Sequence, residues 1–373
     1  MGQHQYIYAD NAATTRLSPL ALEAMIPYLK SDYGNASQPY SFSRTAKKAI
    51  RDARAVIAEC IGANPDEIYF TSCGTESDNW VISGAMQKRL PIVTSTIEHH
   101  AVLNPCECAS RKGHKVTLIP VNSNGEVHPR DLQQALDGNK GIISIMYANN
   151  EIGTIQPIKD LVDLAHRQGW IFHTDAVQAV GHCHFNVHEL GVEMLSASAH
   201  KFNGPKGIGF LYIKKGLEWP PLICGGGQEN GMRAGTENVS SIVAMATALQ
   251  ENVSSIDETT KSLTSLEHKL LEELSTLGVA YLRNGGDEHL AGNISLSFPN
   301  SSGETLLHRL DLMGIFVSTG SACDSKNTQV SHVLKAIHLK DELAKGTIRI
   351  SLGRDNTMED VKRIASAIAT ILL

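Results

Sequence analysis

"MLSASAHKFNGPKGIGFLYI", Met194–Ile213, holds two short apolar runs on either side of a turn rich in glycine and proline. Met194–His200 and Ile208–Ile213 each read as a strand, and near-continuous apolarity suits strands covered on both faces. The same kind of run recurs upstream in EIYFTS (Glu67–Ser72), PIVTST (Pro91–Thr96), KVTLIPV (Lys115–Val121), GIISIMYA (Gly141–Ala148) and WIFHTDA (Trp170–Ala176). Helical patterns lie between several of them, including Glu76–Leu90 and Ile158–Gly169. Strands alternating with helices predict a large, mainly parallel α/β sheet.

Beyond it the pattern changes. Val239 to about Leu277 is helical without a strand, and NISLSF (Asn293–Phe298) and TIRISL (Thr347–Leu352) read as strands with helices around Glu304–Met313 and Thr357–Leu372. We expect a large domain over residues 14–254 and a smaller α+β domain made of residues 1–13 and 255–373.

The chain has 373 residues, a net charge of −6 and interspersed acids and bases, which is no nucleic-acid footprint. No apolar run is long enough to span a bilayer, and MGQHQYIYAD has neither the basic start nor the apolar core of a secretory signal. Seven cysteines without framework spacing read as free thiols, so the expected compartment is the cytoplasm. No metal site is expected. CEC (Cys106–Cys108) lies in a helical pattern without a second ligand pair, and HCHFNVH (His182–His188) has no supporting motif.

Lys201 stands just past a strand, a place where most lysines are surface residues. Three features shift that reading. Asp175 ends the buried run WIFHTDA, at the sheet edge where open α/β sheets bind ligands; it reads as the partner of a protonated ring nitrogen or as a helix cap. TSCGTESDN (Thr71–Asn79) is a strand, a glycine turn and a helix start, whose N–H groups and Thr75 hydroxyl make an anion site or an ordinary cap. IEHHAV (Ile97–Val102) offers His99 or His100 as a stacking ring or a proton carrier. Together these are the parts of a pyridoxal 5'-phosphate site.

The chain resembles the cysteine desulfurases, pyridoxal phosphate enzymes of fold type I in the class V aminotransferase group. The resemblance rests on YADNAATT (Tyr8–Thr15), TSCGTESDN, EHHAVL, YANNEIGTIQP (Tyr147–Pro157), HTDAVQAVGH (His173–His182), SAHKFNGPKGIGFLY (Ser198–Tyr212), GGGQENGMRAGTEN (Gly225–Asn238) and GSAC (Gly320–Cys323). It implies that Lys201 holds the cofactor, Asp175 pairs with the ring nitrogen, Gln178 reaches the ring hydroxyl and His99 stacks on the ring. Gly74, Thr75, Ser198 and His200 would hold the phosphate. Asn150 would touch cofactor and substrate, and Arg349, in TIRISLGR, would grip the α-carboxylate. Arg354 nearby reads as a surface charge. Thr236 would reach the cofactor of a partner subunit, which implies a homodimer.

Cys323 takes the nucleophile's position in the resemblance. The implied reaction converts L-cysteine to L-alanine and leaves the sulfur on Cys323 as a persulfide for an acceptor such as an iron–sulfur scaffold. DSKNTQ (Asp324–Gln329) is polar and lacks apolar anchors, as a carrier loop requires. No basic residue directly precedes Cys323 and Asp324 opposes its ionisation, so activation is expected from the site itself, with His99 as proton acceptor. A selenocysteine lyase, an aminotransferase on the same scaffold, or a sulfur-trafficking protein without turnover are the alternatives. Three positions depart from the family pattern: Ala36 replaces a proline, Tyr40 a histidine and Asn230 an arginine. The short end after IATILL, without the longer tail of some members, leaves the acceptor open.

Overall fold

Alternation of side chains along each strand decides how the sheet is covered. Met194 and Leu195, Ile142 and Ile143, Leu211 and Tyr212 point in turn into two different hydrophobic clusters. Helices Gly74–Gln87 and His100–Arg111 pack against one face through Trp80, Ile82, Val102 and Cys106. Helices Arg44–Ile61, Ile158–Arg167 and Val239–Val253 pack against the other. In Ile158–Arg167 the buried positions are Ile158, Leu161, Val162, Leu164 and Ala165, one stripe of a helical period.

The computed structural model describes residues 6–136, 138, 140–319 and 330–373. Cys323 and the rest of Gly320–Gln329 lie outside the described residues, and so do the expectations attached to them. The described strands are β1 (Ile7–Tyr8), β2 (Ile68–Thr71), β3 (Ile92–Ser95), β4 (Val116–Ile119), β5 (Ile142–Ser144), β6 (Ile171–Asp175), β7 (Met194–Ser198), β8 (Gly209–Ile213), β9 (Leu282–Asn284), β10 (Asn293–Ser297), β11 (Ile315–Phe316) and β12 (Thr347–Ser351).

The large sheet has the order β2-β8-β7-β6-β5-β3-β4. Only β8 runs against its neighbours. The remaining pairs, β3 with β4 and β5, β5 with β6, and β6 with β7, are parallel. The chain is therefore α/β with a mostly parallel central sheet, as the alternating pattern predicts.

The C-terminal part forms a three-stranded antiparallel sheet, β12-β10-β9, and a parallel pair, β1-β11. Helices Ile256–Thr276, Gly303–Leu312 and Met358–Leu372 close a separate hydrophobic cluster around these strands. Bridges from Asp10 to Ser351 and from Ser318 to Arg349 dock the β1-β11 pair beside β12.

Three local expectations change. The run Gly141–Ala148 is strand only as far as Ser144; beyond it Ile145 and Tyr147 N–H still donate to His173 O and Asp175 O on β6, while Met146 N–H turns to the Glu98 carboxylate. The long helical region breaks at Ser254 and Ser255 into two helices. β9 and β1, too short for a periodic signal, were not expected.

Candidate active site

β6 and β7 end side by side, and a cavity of about 370 Å³ opens beyond their C-terminal ends. Such sheet edges bind ligands because strand ends, loops and helix N-termini converge there. Of the sequence candidates, Gly74, Thr75, His99, Asn150, Asp175, Gln178, Ser198, His200, Lys201 and Arg349 all line this cavity. Thr236 does not. It lies exposed on the loop after Gly235. Arg354 pairs with Glu251 at 2.6 Å instead, in agreement with its reading as a charge outside the site.

Lys201 ends the short turn Ala199–Lys201 that follows β7. The turn folds back tightly, with Gly204 N–H donating to Ala199 O at 2.8 Å; a Cβ at Gly204 would stand 2.7 Å from the Ala199 Cβ. The Lys201 Nζ donates to the carbonyls of Ala12 and Ala13 at 2.6 and 2.9 Å, and Gln178 Nε2 donates to Ala12 O at 3.0 Å. The stretch after β1 therefore closes one side of the cavity over the lysine.

Asp175 is the last residue of β6. Its Oδ1 accepts from Val177 N–H at 2.9 Å, so it caps the following turn while lining the cavity. Burial raises its pKa, against the Val177 hydrogen bond and the Lys201 charge, which lower it. Asp78, one turn into the helix from Gly74, is also buried in the cavity wall, and burial and Asp175 both push it up. Behind them His173 is held between Ser144 and Ser196, each 2.9 Å from a ring nitrogen, and burial pushes it down to about 3.

The helix beginning at Gly74 has no side-chain cap, so its first N–H groups face the cavity end without one. A Cβ at Gly74 would come within 2.5 Å of Val177 Cγ2; the glycine permits that approach. Ser198 is buried, and its Oγ has no hydrogen-bond partner among the described residues. His200 Nδ1 lies 3.2 Å from Thr14 Oγ1, and burial followed by Lys201 pushes its pKa down to about 4. Uncapped N–H groups and an orphaned hydroxyl suit a phosphate, and the buried Asp175 suits a protonated ring nitrogen. The residues fit pyridoxal phosphate.

His99 caps the helix His100–Arg111. Its Nδ1 accepts from Ala101 N–H at 3.1 Å, so in the neutral ring the proton sits on Nε2. Burial, then Lys201, His100 and His332, push its pKa down to about 4. This geometry presents a flat neutral ring; taking a proton on Nδ1 would break the cap. His332, whose Nε2 donates to the Glu98 carbonyl at 3.0 Å, packs its ring 4.9 Å from that of His100.

Arg349, also on the cavity wall, projects from β12 and is 5% exposed. Its Nη1 donates to the Asn150 carbonyl at 2.9 Å and its Nη2 to Asp10 Oδ1 at 2.7 Å. Glu151 accepts from Ser331 Oγ at 2.5 Å, and burial pushes its pKa up to about 7 against that bond and Arg349. Glu98, buried behind His99, accepts from Ser95 Oγ and Met146 N–H and is pushed up to about 8 by burial.

Sequence reasoning missed Asp10, Asp78, Glu98 and Glu151. A usable signal existed for Asp78, which stands four residues after Gly74 and so on the same helix face. The other three lie inside the quoted motifs, and only their partners from distant strands mark them out.

The class-V aminotransferase family model matches residues 7–364. A cysteine desulfurase IscS from Methanosarcina thermophila is 44% identical over 99% of this chain and 93% of its own length. The enzyme of that name from Dictyoglomus turgidum is 47% identical over 98% of this chain and 94% of its own. A solved NifS-like protein superimposes with a TM-score of 0.93 at 40% identity, covering 99% of both chains. The chain belongs to the class-V aminotransferase family, and its cofactor is pyridoxal phosphate.

Proposed function

We propose that this class-V family member is a cysteine desulfurase, which converts L-cysteine to L-alanine and takes the sulfur onto Cys323 as a persulfide. The observation that carries the reading is the convergence of Lys201, Asp175, His99, Ser198 and Arg349 on one cavity, in a chain whose relatives carry that name.

When bound, pyridoxal phosphate supplies an electron sink for negative charge on the substrate's carbons. Lys201 holds the aldehyde and later, as a free amine, moves the proton at the substrate Cα. Asp175 keeps the ring nitrogen protonated, and its raised affinity for protons falls when that cation lies beside it. Thr75, Ser198, His200 and the N–H groups at Gly74 hold the phosphate, Gln178 meets the ring hydroxyl and the neutral His99 ring covers one ring face. Asn150 and Arg349 orient the amino acid, with Arg349 on its carboxylate. The Cys323 thiolate attacks the substrate sulfur. A new S–S bond forms, the substrate's C–S bond breaks, and the proton from the Cys323 thiol ends on the alanine Cβ.

The separate hydrophobic clusters support a large domain of residues 14–254 and a small one of residues 1–13 and 255–373, except that Val333, Leu334, Ile337 and Ala344, which follow the Cys323 segment, pack into the large domain's cluster. The exposed position of Thr236 suits a homodimer in which it serves the partner's cofactor. The enzyme would work in the cytoplasm and hand sulfur to an acceptor such as an iron–sulfur scaffold. Among the described residues no helix is long and apolar enough to cross a membrane.

Alanine formation from L-cysteine tests the reading. Wild type should form alanine and, with a thiol reductant, sulfide; Cys323→Ala should form neither at a useful rate. Equal rates would remove Cys323 as nucleophile. Turnover only with an amino donor and a keto acid would make the chain an aminotransferase, and turnover confined to selenocysteine a lyase.

A further inference from the structure

A guanidinium carries five N–H donors in a rigid plane. In Arg349 one terminal nitrogen donates to the Asp10 carboxylate at 2.7 Å and the other to the Asn150 carbonyl at 2.9 Å. The Nε is buried and has no partner among the described residues, although the side chain lines the cavity. A buried donor without an acceptor is unfavourable, and an acceptor entering the cavity relieves it.

Asp10 is itself held in place by backbone. On either side of it, Ser351 N–H donates to Ala9 O at 2.7 Å and Asn11 N–H to Ser351 O at 3.0 Å, which fixes this loop to β12 two residues beyond Arg349. The Tyr8 hydroxyl donates to the Asp10 carbonyl at 3.1 Å. The carboxylate is therefore a preset stop for the guanidinium, independent of any ligand.

We propose that Asp10 is a positioning residue: by engaging Nη2 it aims the Nε edge of Arg349 into the cavity and thereby sets the preference for substrates with a free α-carboxylate. The inference rests on the reading of Arg349 as the carboxylate grip. It also explains why a buried cation stands ready in the cavity, since Asp10 balances its charge before substrate arrives.

The test compares L-cysteine with L-cysteine methyl ester, which lacks the carboxylate, on the holoenzyme. Wild type should prefer the acid in kcat/KM. Asp10→Asn should reduce that preference about tenfold through the KM for L-cysteine, with kcat, the ester's kcat/KM and the cofactor's visible absorbance unchanged. Calorimetric binding of L-alanine against L-alaninamide should show the same split without turnover. A wild type indifferent to the carboxylate overturns the role of Arg349. A wild type that prefers the acid while Asp10→Asn keeps the full preference overturns the role of Asp10. If Asp10→Asn does not fold, Asp10→Glu decides: it keeps the charge but moves the stop, so the preference should fall, and its retention counts against the proposal.

Discussion

The two ends of the cavity are assembled in different ways. At the cofactor end each part is completed within a short stretch: β6 ends in Asp175, β7 ends in Ser198 and turns through Lys201, and the helix after β2 begins at Gly74. At the substrate end Arg349 meets Asp10 across 339 residues and Asn150 across 199. The first end is brought together by the central sheet, and the loop after β1 then closes over it through Ala12, Ala13 and Thr14. The second exists only when β12 has met both the N-terminal loop and the loop after β5. Holding the cofactor and selecting the substrate should therefore be separable by mutation.

Substitution at the cofactor end should give the largest effects. Lys201→Ala should abolish the visible absorbance of the lysine-bound cofactor and lower alanine formation at least about 10³-fold; absorbance that survived would break the assignment. Asp175→Asn should lower kcat about 10²-fold or more at saturating added cofactor, because it removes the charge opposite the ring nitrogen. A change within about twofold would place the ring elsewhere. At the substrate end the effect should be smaller and of another kind, with Asp10→Asn moving KM and sparing the cofactor spectrum.

Ser331→Ala sharpens the comparison further. Ser331 caps the helix His332–Ala336 through Val333 N–H at 3.0 Å and also donates to buried Glu151. Its loss should lower unfolding stability by about 1–2 kcal/mol, read by denaturant titration, with the cofactor absorbance intact. An unchanged stability would mean that this contact contributes nothing to the substrate end.

A further effect concerns pH. Burial raises Glu98 from its ordinary 4.5 to about 8. The folded chain keeps this proton where the unfolded chain has lost it, so the contribution is full below about pH 4.5 and lost as pH rises through 8. Glu98→Gln should flatten the fall of the unfolding midpoint between those values. A slope equal to wild type would mean that Glu98 is ionised in the fold.

The same contrast explains what the sequence could reveal. The parallel sheet was legible because apolar runs such as those in β3, β5 and β8 alternate with helical stripes, a local pattern. Lys201, Asp175 and Gly74 were legible because each stands at a strand end or helix start where chemistry meets a turn. The contact of Asp10 with Arg349 was not, since a single acid in YADNAATT carries no mark of a guanidinium more than three hundred residues away. His99 stands out in the sequence and lines the cavity, yet the tautomer that limits it as a base depends on the Ala101 N–H, a detail of cap geometry. β1 and β9 escaped notice because strands of two and three residues have no measurable period.

In the proposed function this cavity delivers the sulfur of L-cysteine to Cys323. Peptide mass spectrometry of the holoenzyme after brief treatment with L-cysteine tests it most directly, with Lys201→Ala treated in parallel. One added sulfur is expected on the peptide containing Cys323 in the wild type, accompanied by alanine, and none in the Lys201 variant. Added sulfur found only on Cys106 or Cys224, or present equally without Lys201, would contradict it.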